Sequence, residues 1–207
     1  MTAAAGDDAL PSESFQDWVS YADRVVVATV VAERQGSSSP ENPSALDVES
    51  VLVGRIVTFR VDRVLWESPT PWATDPGDTV EVLDWGWIVR RGERIPLGPR
   101  FEVGTTYVVP FVSYDDTPAG RPPWGPLSHR AVMVVTDDGL LAPRPGYEGK
   151  NRAVESVVGR SPDQLATTLA STPVDPRVQP LMALSPLERW ATVRDEMIAA
   201  RASRGGY

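Results

Sequence analysis

The sequence predicts a mainly β fold, five strands forming a barrel or sandwich, with a short helix before them and helices after them. Three observations carry that expectation. Five runs rich in β-branched residues recur before Pro145: Arg24 to Glu33, Val51 to Trp66, Thr79 to Arg90, Thr105 to Tyr114, and Ala131 to Thr136 continuing into Gly139 to Leu141. Gly, Pro, Asp and Asn punctuate the intervals between them. After Pro145 the apolar spacing turns from strand-like to helical.

The first eleven residues are small and acidic and read as a mobile leader. Ser12 or Ser14 then caps a short helix with Phe15, Trp18 and Val19 on one face, suited to cover an end of the barrel. In the first strand Val25 to Val31 is apolar on both faces, so its outer side needs a cover, for which that helix is a candidate. Gln35 to Asp47, rich in Ser and Pro, reads as the least ordered loop. In the second strand Val57, Phe59 and Val61 alternate with Thr58, Arg60 and Asp62, the period of a half-buried strand facing Phe59 inward. In the third, Val80 and Val82 take one parity while Leu83, Trp85, Trp87 and Val89 take the other. The inward face therefore switches near Leu83, and Gly86 marks a bulge.

Pro110 in the fourth strand favours an edge or a bulge, because proline donates no ladder hydrogen bond. Pro118 to Pro126 reads as a proline-rich crossing, and Asp137-Asp138-Gly139 as a hairpin turn. Ser161-Pro162 starts a helix carrying Leu165 and Leu169, and Ser185-Pro186-Leu187-Glu188 has the spacing of a capping box for a helix to about Ala202. Leu187, Trp190, Arg194, Met197 and Ile198 share one side of it, able to dock on the barrel or on a partner. The chain thus divides into a leader over 1–11, a barrel with its first helix over 12–145 and a helical extension over 146–207.

With 42% hydrophobic and 23% charged residues in 207, the chain can bury a sizeable core as one domain. A net charge of -8 repels a phosphate backbone and disfavours nucleic acid. The absence of Cys removes disulfides, zinc-thiolate sites and thiol nucleophiles together. No run approaches the ~20 apolar residues of a spanning helix. Met1 to Leu10 lacks the basic start and apolar core of an export signal, so the cytoplasm is the default compartment, with the envelope or exterior as the alternative if a signal has been removed. No glycine-rich phosphate loop, dinucleotide fingerprint or metal-binding His pair is present, and the expectation is no cofactor and no metal.

Four phrases, Ala22 to Val30, Phe59 to Leu65, Gly77 to Val80 and Val103 to Val109, together resemble a loose class of bacterial OB-like β-barrels similar to netrin-module and tissue-inhibitor-like barrels. The likeness spans Tyr21 to Pro143, and Val157 to Leu165 is similar to the closing helix that many of them carry. The resemblance implies a five-stranded OB-like barrel; its phrases are strand and turn motifs, so it implies a fold more than a function. The chain departs from the class in having no export signal, and without Cys the disulfides of the animal members cannot form.

Trp85 and Trp87 stand two apart in a strand and so share a face, as a paired platform for sugars, bases or a partner's side chains, or as core. Beside them Arg90, Arg91, Arg94 and Arg100, offset by Glu93, make the one concentrated basic segment. Guanidinium both forks hydrogen bonds and stacks, which suits a carboxylate, a phosphate or an acidic protein surface. Trp124 lies in Arg121 to Pro126, which is either an extended recognition segment or a rigid connection. Trp190 adds a contact candidate on the last helix. His129 has Ser128 beside it, but adjacency in sequence does not make a catalytic triad, and a structural or surface role is expected. Asp115-Asp116 and Asp137-Asp138 read as solvated turns.

The expected function is a non-enzymatic protein-binding or assembly module, with a protein partner or self-association through Trp85, Trp87, Arg90, Arg91, Arg94, Trp124 and Trp190. Two alternatives stand: a hydrolase acting through Asp and Glu carboxylates, which leaves no short motif, and carbohydrate or single-strand binding on the Trp face.

Overall fold

The computed structural model describes residues 10–39, 50–70, 77–114 and 123–203, and within them all side chains except those of 37–39, 50, 85 and 197–203. The protein is mainly β. Its elements are α1 (Phe15–Tyr21), β1 (Arg24–Ser39), β2 (Ser50–Glu67), β3 (Thr79–Arg90), β4 (Glu93–Pro96), β5 (Thr106–Ser113), β6 (Trp124–Pro126), a 3-10 turn (His129–Ala131), β7 (Met133–Val135), β8 (Leu141–Pro143), α2 (Arg152–Glu155), α3 (Pro162–Ser171), a second 3-10 turn (Gln179–Leu181) and α4 (Pro186–Ser203).

The eight strands form one sheet. β1 pairs antiparallel with β2 along one edge and, over Arg24 to Thr29, with β5 along the other. β2 pairs with β3, β5 with β6, and β6 meets β3 in parallel at Val82 and Trp124. The pairings therefore run β1-β2-β3-β6-β5 and back to β1, a ring without an open edge along that path. β4 hangs on β3, and the β7–β8 hairpin hangs on β5.

The fifth member of the ring is thus Trp124–Pro126, at the end of the segment expected to be a crossing, whereas the run from Ala131 supplies only the outlying hairpin. Strand propensity cannot find β6, which has three residues, one of them Pro. It is held by its neighbours: Tyr114 N–H donates to the Pro123 carbonyl and Leu127 N–H to that of Pro110, each at 2.7 Å. Pro110 therefore lies in an interior strand, not at an edge. Residues 118–122 of the expected crossing, with Asp115 and Asp116, lie outside the described residues. Gln35 to Ser39, expected in a loop, continues β1 and pairs with β2, as Gln35 with Arg55 and Ser39 with Leu52. The rest of that loop, from 40 on, is outside the description.

Two apolar cores flank β1. Inside the ring, Val26, Ala28 and Val30 pack with Val57, Val80 and Val109 around Phe59, which is fully buried. The Phe59 ring meets Phe101, Tyr107 and Phe111 edge-on at 4.9, 6.3 and 5.6 Å. Outside it, Val25 packs with Val108 and Val112 of β5 against Trp18 and Tyr21 of α1, Val154 of α2, Leu169 of α3 and Val193 of α4. The cover that β1 needs is therefore α1 and the carboxyl-terminal helices together. Leu10, read as part of a mobile leader, is 2% exposed and belongs to this outer core. The Ser12 carbonyl accepts from Trp18 Nε1 and Asn151 Nδ2, both at 2.9 Å, and so joins the start of the chain to α2.

The cap expected at Ser161 and the capping box expected at Ser185 are present, and Gln164 makes the first a capping box as well. α4, however, turns a different side inward than its apolar spacing suggests. Arg189 is fully buried and donates to the carbonyls of Leu184 at 2.8 Å and of Ser20 and Met182 at 3.1 Å each. That clamp brings Val193 inward and leaves Leu187 and Arg194 exposed. Burial pulls the Arg189 pKa below its ordinary value, against the nearby charge of Asp23. The side chains of Met197 and Ile198 are outside the description.

In β3 the face switch comes later than Leu83. Val53 is opposite Trp87 while Arg55 is opposite Asp84, so the extra residue falls at Trp85–Gly86. A Cβ on Gly86 would stand 1.8 Å from the Val53 carbonyl oxygen, so the bulge admits only glycine.

Phe59→Ala should cost ~3–5 kcal/mol, read from the denaturation midpoint, since transfer energy and a cavity are both lost; a midpoint that scarcely moves would contradict the inward placement. Burial pushes the Tyr114 phenol up to about 12. The unfolded chain then loses that proton first, at ~10, so the stability contributed is present below pH ~10 and fades as pH rises toward the folded value. Tyr114→Phe should lessen that alkaline loss in melts across this range.

Candidate functional site

Arg91 and Gly92 have φ values of 51° and 82°, the two positive dihedrals of a type I′ turn, so β3 and β4 form a hairpin with a two-residue loop. Its register pairs Val89 with Arg94 and Trp87 with Pro96, placing these four residues on one face, and pairs Ile88 with Ile95 on the other. Every residue of β4 is exposed, as are Arg90 and Arg91. The guanidinium carbons of Arg94 and Arg100 lie 5.5 and 4.5 Å from the centre of the half-buried Trp87 ring. Trp87 is thus stacked by the chain's own arginines.

The bulge lies between Trp85 and Trp87, so their spacing no longer implies a common face, and the Trp85 side chain is outside the description. Trp124 is 8% exposed and packs in the ring's interior, with Arg24 at 5.8 Å from its ring. Trp190 is half-buried, edge-on to Tyr21 of α1 at 6.0 Å. Of the residues read as contacts, the hairpin gathers Trp87, Arg90, Arg91 and Arg94, while Trp124 and Trp190 serve packing within the chain.

A buried charge cluster adjoins this hairpin through Arg100. Arg55 and Asp84, register partners on β2 and β3, have side chains 1% and 0% exposed and an Nη2–Oδ2 distance of 2.9 Å. Arg55 also donates to Glu33 of β1 at 2.7 Å and to the Phe101 carbonyl, and Asp84 Oδ2 accepts from the Phe101 amide at 3.2 Å. Arg100 Nη2 stands 3.8 Å from the same Glu33 oxygen. From the segment after β8, the buried Arg144 donates to the Pro99 carbonyl at 2.8 Å, stacks on the Phe101 ring at 3.8 Å and brings Nη1 to 3.0 Å from His129 Nδ1. Burial pulls the Arg144 pKa below its ordinary value, and the charge of Asp84 works against that shift. Asp84 Oδ1 makes no hydrogen bond and lies 3.8 Å from His129 Nδ1 and 4.0 Å from Arg144 Nη2.

Two carboxylates converge here, one of them fully desolvated, but the Arg55 guanidinium lies between them. It holds both as ion-pair acceptors instead of leaving an acid and a base on either side of a substrate. Ser128 Oγ accepts from the Arg130 amide at 3.1 Å and so caps the 3-10 turn. Among the described residues, no three His, Cys, Asp or Glu side chains gather as a metal site. Sequence reading missed Arg55 and Asp84 because it assigns charged strand residues to solvent, and Arg144 because nothing in the segment after β8 signals its burial. The available signal was parity: Arg55 continues the inward series of Val57 and Phe59, and Asp84 that of Val80 and Val82.

Arg55→Met should cost ~3–5 kcal/mol, because it leaves Asp84 buried without its closest partner. The double change Arg55→Met/Asp84→Leu should recover part of that loss in urea unfolding. Strictly additive losses would mean that the two side chains do not depend on each other.

Comparison with protein-family models, with curated proteins and with solved structures finds no match. The functional reading therefore rests on this geometry.

Proposed function

We propose that this chain is a non-enzymatic protein-binding module built on an OB-like barrel, and that its β3–β4 hairpin receives an acidic segment of a partner protein. The barrel reading is supported by the ring order β1-β2-β3-β6-β5 with its one parallel contact, β3 to β6. The observation that carries the binding reading is the concentration of Arg90, Arg91 and Arg94 on one hairpin, with Arg100 just after it, in a chain whose net charge is -8. Trp87 holds two of these guanidiniums by stacking, which lowers the entropy lost when they grip a carboxylate.

Recognition runs through side chains, not through an added strand. In a two-residue hairpin Arg90 and Glu93 form the hydrogen-bonded pair, so Arg94 and Pro96 are the positions that turn their backbone outward. Pro96 has no N–H and Arg94 is charged, two devices that keep another strand off an edge.

The test uses Glu-rich and Asp-rich synthetic peptides as probes. Arg90→Glu/Arg94→Glu should weaken their binding and flatten its salt dependence while shifting stability by no more than ~0.5 kcal/mol. Arg152→Glu/Arg160→Glu, an equal charge change at exposed positions elsewhere, should bind as the parent does. Equal weakening in both variants, or in neither, would contradict a hairpin site.

A further inference from the structure

We propose, resting on the hairpin reading above, that the acidic segment is amphipathic: an apolar side chain seats on the inner face of β2, β3 and β4 beyond the Arg55–Asp84 pair, and carboxylates beside it meet Arg94 and Arg100.

The inward series of the ring does not stop where the ring closes. On β2 it runs Phe59, Val57, Arg55, Val53 and Val51. On β3 it runs Val80, Val82 and Asp84 and, after the extra residue at Trp85–Gly86, resumes at Trp87 and Val89. Across the strands the register gives two rows on this face, Val51 with Val89 and Arg94, and Val53 with Trp87 and Pro96. The opposite side of the ring ends sooner: β5 leaves β1 after Thr29, and β6 meets β3 at Val82. Among the described residues, what reaches over the two rows is the loop before β5, through Arg100.

An inward apolar series that outruns its cover meets solvent. Val53 is buried and Trp87 and Val89 are half-buried, but Val51 is 37% exposed and Arg94 and Pro96 are exposed as well. The floor is thus aliphatic and aromatic, and its rim is cationic, with Arg94 and Arg100 both over the Trp87 ring. The carboxylates on this side are already engaged: Glu33 by Arg55 at 2.7 Å, with Arg100 at 3.8 Å, and the fully buried Asp84 by Arg55. A cationic rim in a chain of net charge -8 favours a carboxylate-bearing partner over a second copy of this acidic chain. On the opposite face Ile88 pairs with Leu52 and Ile95, and there Arg90 has an acid, Glu93, as its register partner.

The two parts of the face ask for two kinds of group. A guanidinium stacked on indole keeps its edge free to fork onto a carboxylate, so charge is held at the rim. A carboxylate alone leaves Val51 and Val89 in water, whereas an aliphatic side chain next to it takes them out of water. Salt separates the two contributions, because it screens the exposed charges and spares the apolar contact. A purely acidic segment therefore binds weakly and loses its hold as salt rises, and an amphipathic one keeps part of its affinity.

Two synthetic peptides of equal charge, Glu-Glu-Leu-Glu-Glu and Glu-Glu-Ser-Glu-Glu, test this on the full chain. The parent should bind the Leu peptide about tenfold tighter, at low and moderate salt alike, since burial of one aliphatic side chain supplies the difference. Val51→Thr/Val89→Thr, which keeps side-chain shape and strand propensity, should bring the two peptides to equal affinity. Ile95→Thr, on the opposite face, should keep the preference. Equal binding of both peptides by the parent would overturn the apolar seat; the hairpin reading then stands if Arg94→Gln weakens both and falls if it does not. Binding of neither peptide would overturn both. Loss of the preference in Ile95→Thr, or a parent dimer in native mass spectra that Val51→Thr/Val89→Thr dissociates, would also overturn the seat, the dimer by giving the face to a second copy. If the double Thr variant does not fold, the parent's methyl NMR decides: the Leu peptide should shift Val51 and Val89, and equal shifts at Ile95 would contradict the assigned face.

Discussion

The structure depends on β1 being used on all four of its sides. Its edges pair with β2 and β5, which closes the ring, and its faces feed two cores, Val26 and Val30 inward and Val25 outward. A strand buried in this way cannot be stable until both covers are in place. The amino-terminal helix and the carboxyl-terminal helices therefore belong to the same cooperative unit as the ring, although the sequence reads as a barrel followed by an extension. Leu10 and Asn151, far apart in the chain, meet this requirement from opposite ends.

Where the cores end, the protein seals itself with arginine. Arg55 joins β1, β2, β3 and the Phe101 loop, Arg144 joins the segment after β8 to that loop, and Arg189 joins α4 to the end of α1. Each uses a planar fork with several donors to satisfy backbone carbonyls or carboxylates at once, which a lysine ammonium cannot do at these angles. The cluster around Asp84 is thus a structural closure.

Much of this was legible in the chain. The apolar run from Val25 announces a strand covered on both faces, although Val31 at its end is exposed; Phe59 falls inward by its period of two; and Ser161-Pro162 and the Ser185 to Glu188 spacing mark helix starts. The Asp-Gly turn marks the β7–β8 hairpin. What was not legible depends on register and on partners. β6 is too short to carry a propensity and exists because β3 and β5 bind it. Arg55 and Asp84 face inward because each neutralises the other, a fact that emerges only once the strands are paired. The Trp pair loses its implied common face to the bulge, and α4 rolls to bury Arg189 in place of Leu187.

For function, the contrast between exposed and buried arginine matters most. Buried ones are committed to closing the fold, whereas Arg90, Arg91 and Arg94 of the β3–β4 hairpin stand at the surface, Arg94 against the Trp87 ring. The hairpin extends from β3 of the ring, which β1 closes by pairing with both β2 and β5. Native-state hydrogen exchange resolved by residue tests this most directly. The account predicts that amides of Val25 to Thr29 open only with global unfolding, and that the helix amides of Leu169 and Val193 share the same opening free energy and denaturant dependence. If the carboxyl-terminal helices open separately while β1 stays protected, the ring stands without its outer cover, and the single cooperative unit is contradicted.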